Sequence, residues 1–380
     1  MRRRKGIDLP EKLERCIRAD TEWSLSRLSR DYAWAIPGGV AWLIESTLLD
    51  DMTARRVPIC RFGDVDTAAW YEYFADVEAR ESSPSYANLA AGVAGDQQLI
   101  EQLEQLPPRK RQPNLLFATV QFLGGPTSNW NDFRSFVSVN WTGISGLMRD
   151  RSTQTNEASR CSALLPVLGT VGSPIALIEV GASAGLCLFP DRYSYSYDGT
   201  AIGDSALRME VACTGPVPIP SVLPEVSWRA GVDLNPLDVT NAEDVAWLNA
   251  CIWPEHDERR DRLERAVKIA AADPPKILSG DLNGTIDELI EAAPAGLRVV
   301  VWHSAVLSYL SIEDRAAFVE DMKSRPDVDW ISNEAPGVVA DLANAKPPPS
   351  ANAFILGLNG TDVLAYTDPH GRWLDWVGQD

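Results

Sequence analysis

The chain has 380 residues, 35 lysines and arginines against 53 aspartates and glutamates, a formal net charge of -18 and 45% hydrophobic residues. That length exceeds one core of ordinary size, so two domains, or one with a large extension, are expected. A surface this acidic repels phosphate backbones and anionic lipids, which argues against nucleic-acid and membrane partners and for a small-molecule substrate.

The six cysteines, Cys16, Cys60, Cys161, Cys187, Cys213 and Cys251, are scattered, with no C-x-x-C pair and no zinc-spaced histidine. They read as reduced thiols of a cytoplasmic protein, and no metal site is expected. Met1 to Lys5 is basic, but Gly6, Asp8, Glu11, Lys12 and Glu14 follow where a signal peptide would be apolar. No stretch approaches the roughly 18 apolar residues that span a bilayer.

Helical spacing dominates residues 1–150. Leu13, Ile17, Trp23, Leu25 and Leu28 predict one or two amphipathic helices, Val40, Leu43, Ile44 and Leu48 another, and Ala68 to Ala79 a third. Pro84 and Pro107-Pro108 break the pattern, the triplet Arg109 to Arg111 reads as a solvated loop, and Leu115 to Leu123 as a further helical or buried segment. Residues 1–150 are therefore expected to form an all-helical domain, a lid over a substrate. Next comes RSTQTNEASRC, dense in hydrogen-bonding groups. If it is helical, Arg151, Gln154, Asn156 and Arg160 could clamp a substrate carboxylate, with Asn156 and Arg160 an i, i+4 pair. The alternative is a solvent-facing linker helix.

From Ile175 onward strands alternate with helices, so residues 151–380 are expected to form an α/β domain with a Rossmann-like sheet. Ile175 to Val180 reads as a buried parallel strand, interrupted by Glu179, and Gly181 and Gly185 as a sharp turn into a helix. Tyr193 to Tyr197, closed by Asp198-Gly199, predicts a second strand; Lys276 to Leu282 a third; Arg298 to His303 a central fourth; Val328 to Asn333 a fifth. Helices are expected over Glu243 to Ala272, bent at Pro254, over Thr285 to Ala293 and over Ile312 to Ser324. Ala353 to Leu358 and Val363 to Tyr366, joined by Asn359-Gly360, predict a terminal β-hairpin.

Two chemistries fit the glycine turn. Gly181-Ala182-Ser183-Ala184-Gly185 is G-x-S-x-G, the nucleophile elbow of α/β-hydrolases, with Ser183 as nucleophile, His370 as base and Asp329 or Asp341 as acid. Glu179 to Gly185 is also E-x-G-x-x-x-G, which resembles the first motif of class I S-adenosylmethionine-dependent methyltransferases. That resemblance implies that Glu179, Gly181, Ser183 and Gly185 hold the methionine part of S-adenosylmethionine. It further implies that Asp198 holds the ribose, with Asp233 of GVDLNP a rival, and that Gly280, Asp281 and Leu282 line the adenine. The terminal hairpin, and the lack of an H-G-G oxyanion signature before Ser183, favour the methyltransferase reading. Ligands of such sheets bind at the carboxyl ends of strands where the order reverses, so His303 and Ser304 become the candidate catalytic pair, with Asn333 and Glu334 on the substrate side.

The segments QTNEASRC, IEVGASAGL, DRYSYSY, WRAGVDLNPLDV, WPEHDERRDRL, SGDL, VVVWHSAVLSYL and WISNEAPG together resemble a large uncharacterised bacterial family that covers nearly the whole chain. The family supplies no established reaction. The expected function is thus methyl transfer to a small molecule, with a serine hydrolase and a non-catalytic ligand-binding protein as the alternatives.

Overall fold

The computed structural model describes residues 66–344, 348–350 and 352–378. The helices predicted between Leu13 and Leu48, and Cys16 and Cys60, lie outside the described residues.

β1 (Ile175–Val180) is buried along its whole length. Side chains alternate across a strand, so Ile175 and Leu177 join the core on one face and Ile178 and Val180 the core on the other. Glu179 shares the first face. β1 pairs in parallel with β5 (Val226–Asp233) on one side and β7 (Arg298–Ser304) on the other. β6 (Lys276–Ser279) adds in parallel beyond β5, and β8 (Val328–Glu334) beyond β7. From β1 the chain therefore fills one flank through β5 and β6, then crosses to fill the other through β7 and β8. The order reverses between β1 and β7, the switch point at which doubly wound sheets bind ligands.

The sheet continues beyond β8. β9 (Phe354–Leu358) and β10 (Asp362–Thr367) form the predicted antiparallel hairpin, with Asn359 and Gly360 both left-handed at its turn. β11 (Trp373–Trp376), β4 (Arg208–Thr214), β2 (Ser194–Tyr197) and β3 (Thr200–Ile202) complete eleven strands in the order β3-β2-β4-β11-β10-β9-β8-β7-β1-β5-β6.

The predicted second strand thus forms, but at the far end of the sheet. Tyr193, Tyr195 and Tyr197 are fully buried there, their hydroxyls donating to Leu186, Pro190 and Ser162 carbonyls at 2.7, 2.8 and 2.8 Å. Such rings need a two-sided core and carbonyl partners. The strand beside β1 is β5 instead.

The helices are α1 (Thr67–Tyr73), continued by a π-helical turn (Phe74–Glu78), α2 (Pro84–Ala94), α3 (Gln97–Leu103), α4 (Pro113–Phe122), α5 (Trp130–Asp150), α6 (Cys161–Val171), α7 (Ala242–Ala250), α8 (Asp257–Ala271), α9 (Leu282–Ala292) and α10 (Ile312–Lys323). α6 and α8 cover one face of the sheet, α9 and α10 the other. α1 to α5 share a separate aromatic core that takes in Trp247 of α7. The helix expected over Glu243 to Ala272 with a bend at Pro254 is instead two helices, α7 and α8, with Pro254 in the segment between them. Residues 151–157 are irregular and only Ala158–Arg160 makes a 3-10 turn, so the expected clamp helix is absent and Asn156 and Arg160 do not stack as an i, i+4 pair.

Candidate functional site

The loop after β1 turns through three left-handed residues, Gly181 (φ 69°), Ser183 (φ 52°) and Gly185 (φ 73°). No α-helix follows: Leu186–Leu188 is a single 3-10 turn, and the chain leaves for β2. Five of the six amides from Gly181 to Leu186 find partners within the protein. Gly181 and Ala182 donate to Val232 O at 2.8 and 3.1 Å, and Gly185 to Ala182 O at 2.6 Å. Ser183 N–H donates to Asp233 Oδ2 at 2.8 Å and Leu186 N–H to Asn156 Oδ1 at 3.0 Å. With these amides occupied and no helix dipole behind them, the turn is a poor phosphate nest.

Gly181 has a second reason to lack a side chain. A Cβ there would lie 2.4 Å from Val306 Cγ2, so glycine lets the loop after β7 lie against the turn. Around this contact the ends of the strands are accessible: Gly181, Asp233, Gly280, Ala305 and Val306 are half-buried, while Asp281 and Tyr309 are exposed.

Three acids stand at or just beyond the carboxyl ends of the adjacent strands β1, β5 and β6. Glu179 is 5% exposed, and its Oε2 has no hydrogen-bond partner. Burial pushes its carboxyl well above the usual range, Cys187 and Asp233 add to the rise, and Arg160 opposes it. A neutral carboxyl of this kind can donate a hydrogen bond. Asp233 ends β5 and accepts one backbone bond per oxygen, from Ser183 and Asn235, both at 2.8 Å. Each oxygen keeps a lone-pair site. Asp281 caps α9 through Asn283 N–H at 3.0 Å and is otherwise open to solvent.

Asp198 is not among them. It sits with Gly199 at the left-handed tip of the β2–β3 hairpin, where its carboxylate accepts from Cys213 N–H at 3.2 Å. Six strands separate β2 from β1, so Asp198 lies far from the glycine turn, whereas its rival Asp233 stands on the neighbouring strand β5. Leu282 is 8% exposed and belongs to the core beneath α9, so it lines no ligand. A Cβ on Gly280 would meet Thr285 Oγ1 at 2.5 Å, which makes that glycine a helix-packing residue.

His303 is corrected as well. Its ring is fully buried, Nδ1 faces Glu334 Oε1 at 2.8 Å, and Trp330 Nε1–H donates to Nε2 at 2.9 Å. Both nitrogens are engaged, so the ring has none left to take a substrate proton. Ser304 Oγ accepts from Asn333 Nδ2 at 3.1 Å, and Asn333 Oδ1 accepts from Thr367 Oγ at 2.7 Å, a buried chain tying β7 to β8 and β10. Glu334 Oε1 also takes the Val306 and Leu307 amides at 2.8 and 3.1 Å. These four residues shape the crevice from beneath.

The segment before α6 also holds structure in place. Arg151 pairs with Glu243 at 2.5 Å and lies over the Phe122 and Trp247 rings, each 5.3 Å away. Gln154 donates to Asn235 O at 2.8 Å. Asn156 bonds both Leu186 N–H and Ala182 O and so staples the glycine turn. Arg160 is buried beneath the strand ends: its Nε and Nη1 donate to Pro369 O and Ser304 O, both at 3.0 Å, and its charge acts on Glu179 and on Tyr309.

A narrow pocket behind the turn is lined by Gln154, Asn156, Glu157, Cys251 and Arg259. Glu157 is buried and accepts from Arg259 Nε at 2.9 Å and Arg262 Nε at 2.6 Å. Spacing within one segment cannot reveal such a pairing, because both arginines lie on α8.

The hydrolase constellation is not assembled. Ser183 Oγ is buried without a partner, and the His370 ring is hydrogen-bonded neither to it nor, through Nδ1, to anything else. Asp329 is paired with Arg298, and Asp341 with Lys323.

Residues 68–376 match the family described as "Uncharacterized protein conserved in bacteria (DUF2332)", and the chain belongs to that family. No curated protein and no solved structure matches it. Among the described residues no helix is long and apolar enough to cross a membrane.

Proposed function

We propose that this family member binds S-adenosylmethionine in the crevice at the ends of β1, β5 and β6 and transfers its methyl group to a small molecule. The observation that carries the reading is Asp233, a half-buried carboxylate on the strand next to β1, one hydrogen bond from the glycine turn. The donor set fits the cofactor. A dinucleotide needs several free amides at the turn for its phosphates, and five of the six from Gly181 to Leu186 are engaged; S-adenosylmethionine has no phosphate and carries a sulfonium cation, which suits the carboxylates of Asp233 and Asp281. Asp233 accepts two hydrogen bonds from a ribose diol and Asp281 one from an exocyclic amine, while Glu179, buried at the end of β1 with Oε2 unpartnered, lies beneath the methionine end.

When bound, the cofactor supplies an activated methyl group. The chain's contribution is positioning: the left-handed turn, held by Asn156 and Asp233, and the β7–α10 loop, held by Glu334, fix the two walls so that the acceptor meets the methyl in line. Isothermal titration with S-adenosylhomocysteine tests the reading. Binding that weakens at least about tenfold in Asp233→Ala supports it. Absence of heat with the unaltered protein sinks it and leaves a fold that keeps the crevice for another ligand.

A further inference from the structure

A surplus of positive charge is buried behind the glycine turn. Among the described residues Glu157 is the only carboxylate paired with Arg259 or Arg262. Both its oxygens are engaged: Oε2 accepts from Arg259 Nε at 2.9 Å, and Oε1 from Arg262 Nε at 2.6 Å and Ser159 Oγ at 3.0 Å. A third arginine, Arg160, follows Glu157 in the same 3-10 turn; it is buried and bonds the Pro369 and Ser304 carbonyls, not an acid. The nearby acids are matched elsewhere, Asp368 by Arg372, and Glu243 and Asp244 by Arg151. Three guanidinium groups thus share one carboxylate, in a chain whose net charge is -18. Burial depresses the Arg259 pKa, Glu157 raises it, and Arg160 and Arg262 depress it again. A buried charge without a counter-charge is costly, so a further anion would stabilise this cluster.

The narrow pocket lies against this cluster. Gln154, Thr155, Asn156, Glu157, Cys251 and Arg259 line it, and it encloses about 10 Å³, room for one body the size of a water molecule. Thr155 is exposed, so the pocket opens to solvent. Its walls carry donors. Of the Arg259 guanidinium only Nε makes a hydrogen bond among the described residues, and the Thr155, Asn156 and Glu157 amides make none there. Burial pushes the Cys251 thiol up to about 11, which keeps its S–H proton in place. Asn156 also bonds Ala182 O and Leu186 N–H, which sets the pocket directly behind the glycine turn.

We infer that this pocket is a binding site for a monatomic anion of chloride size, held by Arg259 and the amides of residues 155–157. Size selects the ion, because a carboxylate or a phosphate is larger than the cavity. Charge selects it over water, which would satisfy the donors and leave the arginines uncompensated. Glu157 does not stand in the way, since its oxygens are turned to Arg259, Arg262 and Ser159. Successive main-chain amides beside a guanidinium are a common way to hold a small anion. The site is independent of what fills the crevice.

Chloride NMR on the full chain tests this, because exchange with a protein site broadens the chloride line. Bromide should compete for the site and gluconate should not. Urea midpoints should also be higher in sodium chloride than in sodium gluconate of equal ionic strength, since an ion bound only by the folded chain stabilises it. Arg259→Gln removes the charge beside the pocket, whereas Cys251→Met fills the pocket and leaves every charge in place; chloride affinity should fall at least about tenfold in both. Arg265→Gln makes the same charge change at an exposed position of α8, where Arg265 pairs with Asp261, and should stay within about twofold of the unaltered protein. Absence of broadening with the unaltered protein, unchanged broadening in Cys251→Met, or equal midpoints in chloride and gluconate overturns the inference and leaves a pocket for an ordered water. Equal losses in Arg259→Gln and Arg265→Gln overturn it as well, since they would mean diffuse attraction to the surface.

Discussion

The ring proton of His303 points at Glu334. Trp330 Nε1–H donates to Nε2, so Nε2 is the acceptor, and the proton sits on Nδ1, 2.8 Å from Glu334 Oε1. The same oxygen holds the Val306 and Leu307 amides, and Val306 lies against Gly181. A buried indole–imidazole–carboxylate relay therefore fixes the wall of the crevice without touching its contents.

His303→Phe is accordingly expected to act on stability. It strands the Trp330 N–H and one bond of a buried carboxylate, a loss of about 3 kcal/mol. Urea unfolding would read this as a lower midpoint with an unchanged slope. S-adenosylhomocysteine affinity should move less than about threefold, because only the shape of the wall is affected. A variant of unaltered stability that loses ligand binding would instead return His303 to the site.

Asp233 and Asp198 make a matched pair. Asp233→Asn keeps one oxygen for the Ser183 amide but loses charge and half its acceptor capacity, so S-adenosylhomocysteine should bind at least about tenfold more weakly. Asp198→Asn alters a solvent-facing hairpin tip near the opposite edge of the sheet and should leave the titration unchanged. The reverse ranking would refute the reassignment of the ribose role.

The comparison of these two acids shows what the sequence reveals and what it hides. Largely apolar runs marked β1 and β7 to within a residue, as expected of strands covered on both faces, and β8 was located as closely although Asp329, Ser332, Asn333 and Glu334 are polar and buried. The Asn359-Gly360 turn marked the hairpin, while Pro254, read as a bend within one helix, lies between two. Strand order is another matter. Tyr193 to Tyr197 reads as the next strand in the chain, yet nothing local tells it to pair with β4 and β3 instead of β1. Asp198 was misplaced with it. His303 looked reactive because it ends a central strand, whereas its partners Trp330 and Glu334 come from a different strand.

Acid should destabilise the fold in a defined window. Burial lowers the His370 pKa to about 3, helped by Arg259 and Arg160, from an ordinary 6.5. Between those values the unfolded chain binds a proton that the folded chain does not, so stability falls as pH drops, with a limiting slope of about 1.4 kcal/mol per pH unit. Glu157 acts in the same direction lower down. Burial alone would raise its pKa, but Arg259 and Arg262 outweigh burial and hold it at about 2, so its contribution is full above 4.5 and lost toward 2. Glu78 opposes both. Raised to about 7, it makes the folded state bind the extra proton between 4.5 and 7, so its contribution falls as pH rises. Urea midpoints across pH should therefore show a shallower acid decline in His370→Gln and a steeper one in Glu78→Gln. Parallel curves for all three proteins would contradict these assignments.

The contact between Gly181 and Val306 can be tested on its own. Gly181→Ala adds a methyl group at φ 69° and within 2.4 Å of Val306 Cγ2. The left-handed backbone costs about 1–2 kcal/mol for any side chain, and the overlap a further 1–3 kcal/mol unless the β7–α10 loop retreats. Val306→Ala removes both methyls that the new Cβ would strike, so it should relieve the second cost and not the first. The double variant is therefore expected to recover part of the stability lost in Gly181→Ala, with a coupling energy of about 1 kcal/mol or more by urea unfolding. Ligand binding should follow the same order, since the retreating loop is the one that carries Tyr309 and rests on Glu334. Strictly additive effects would mean that the loop does not lean on the turn, and the crevice would lose the wall that sets its width.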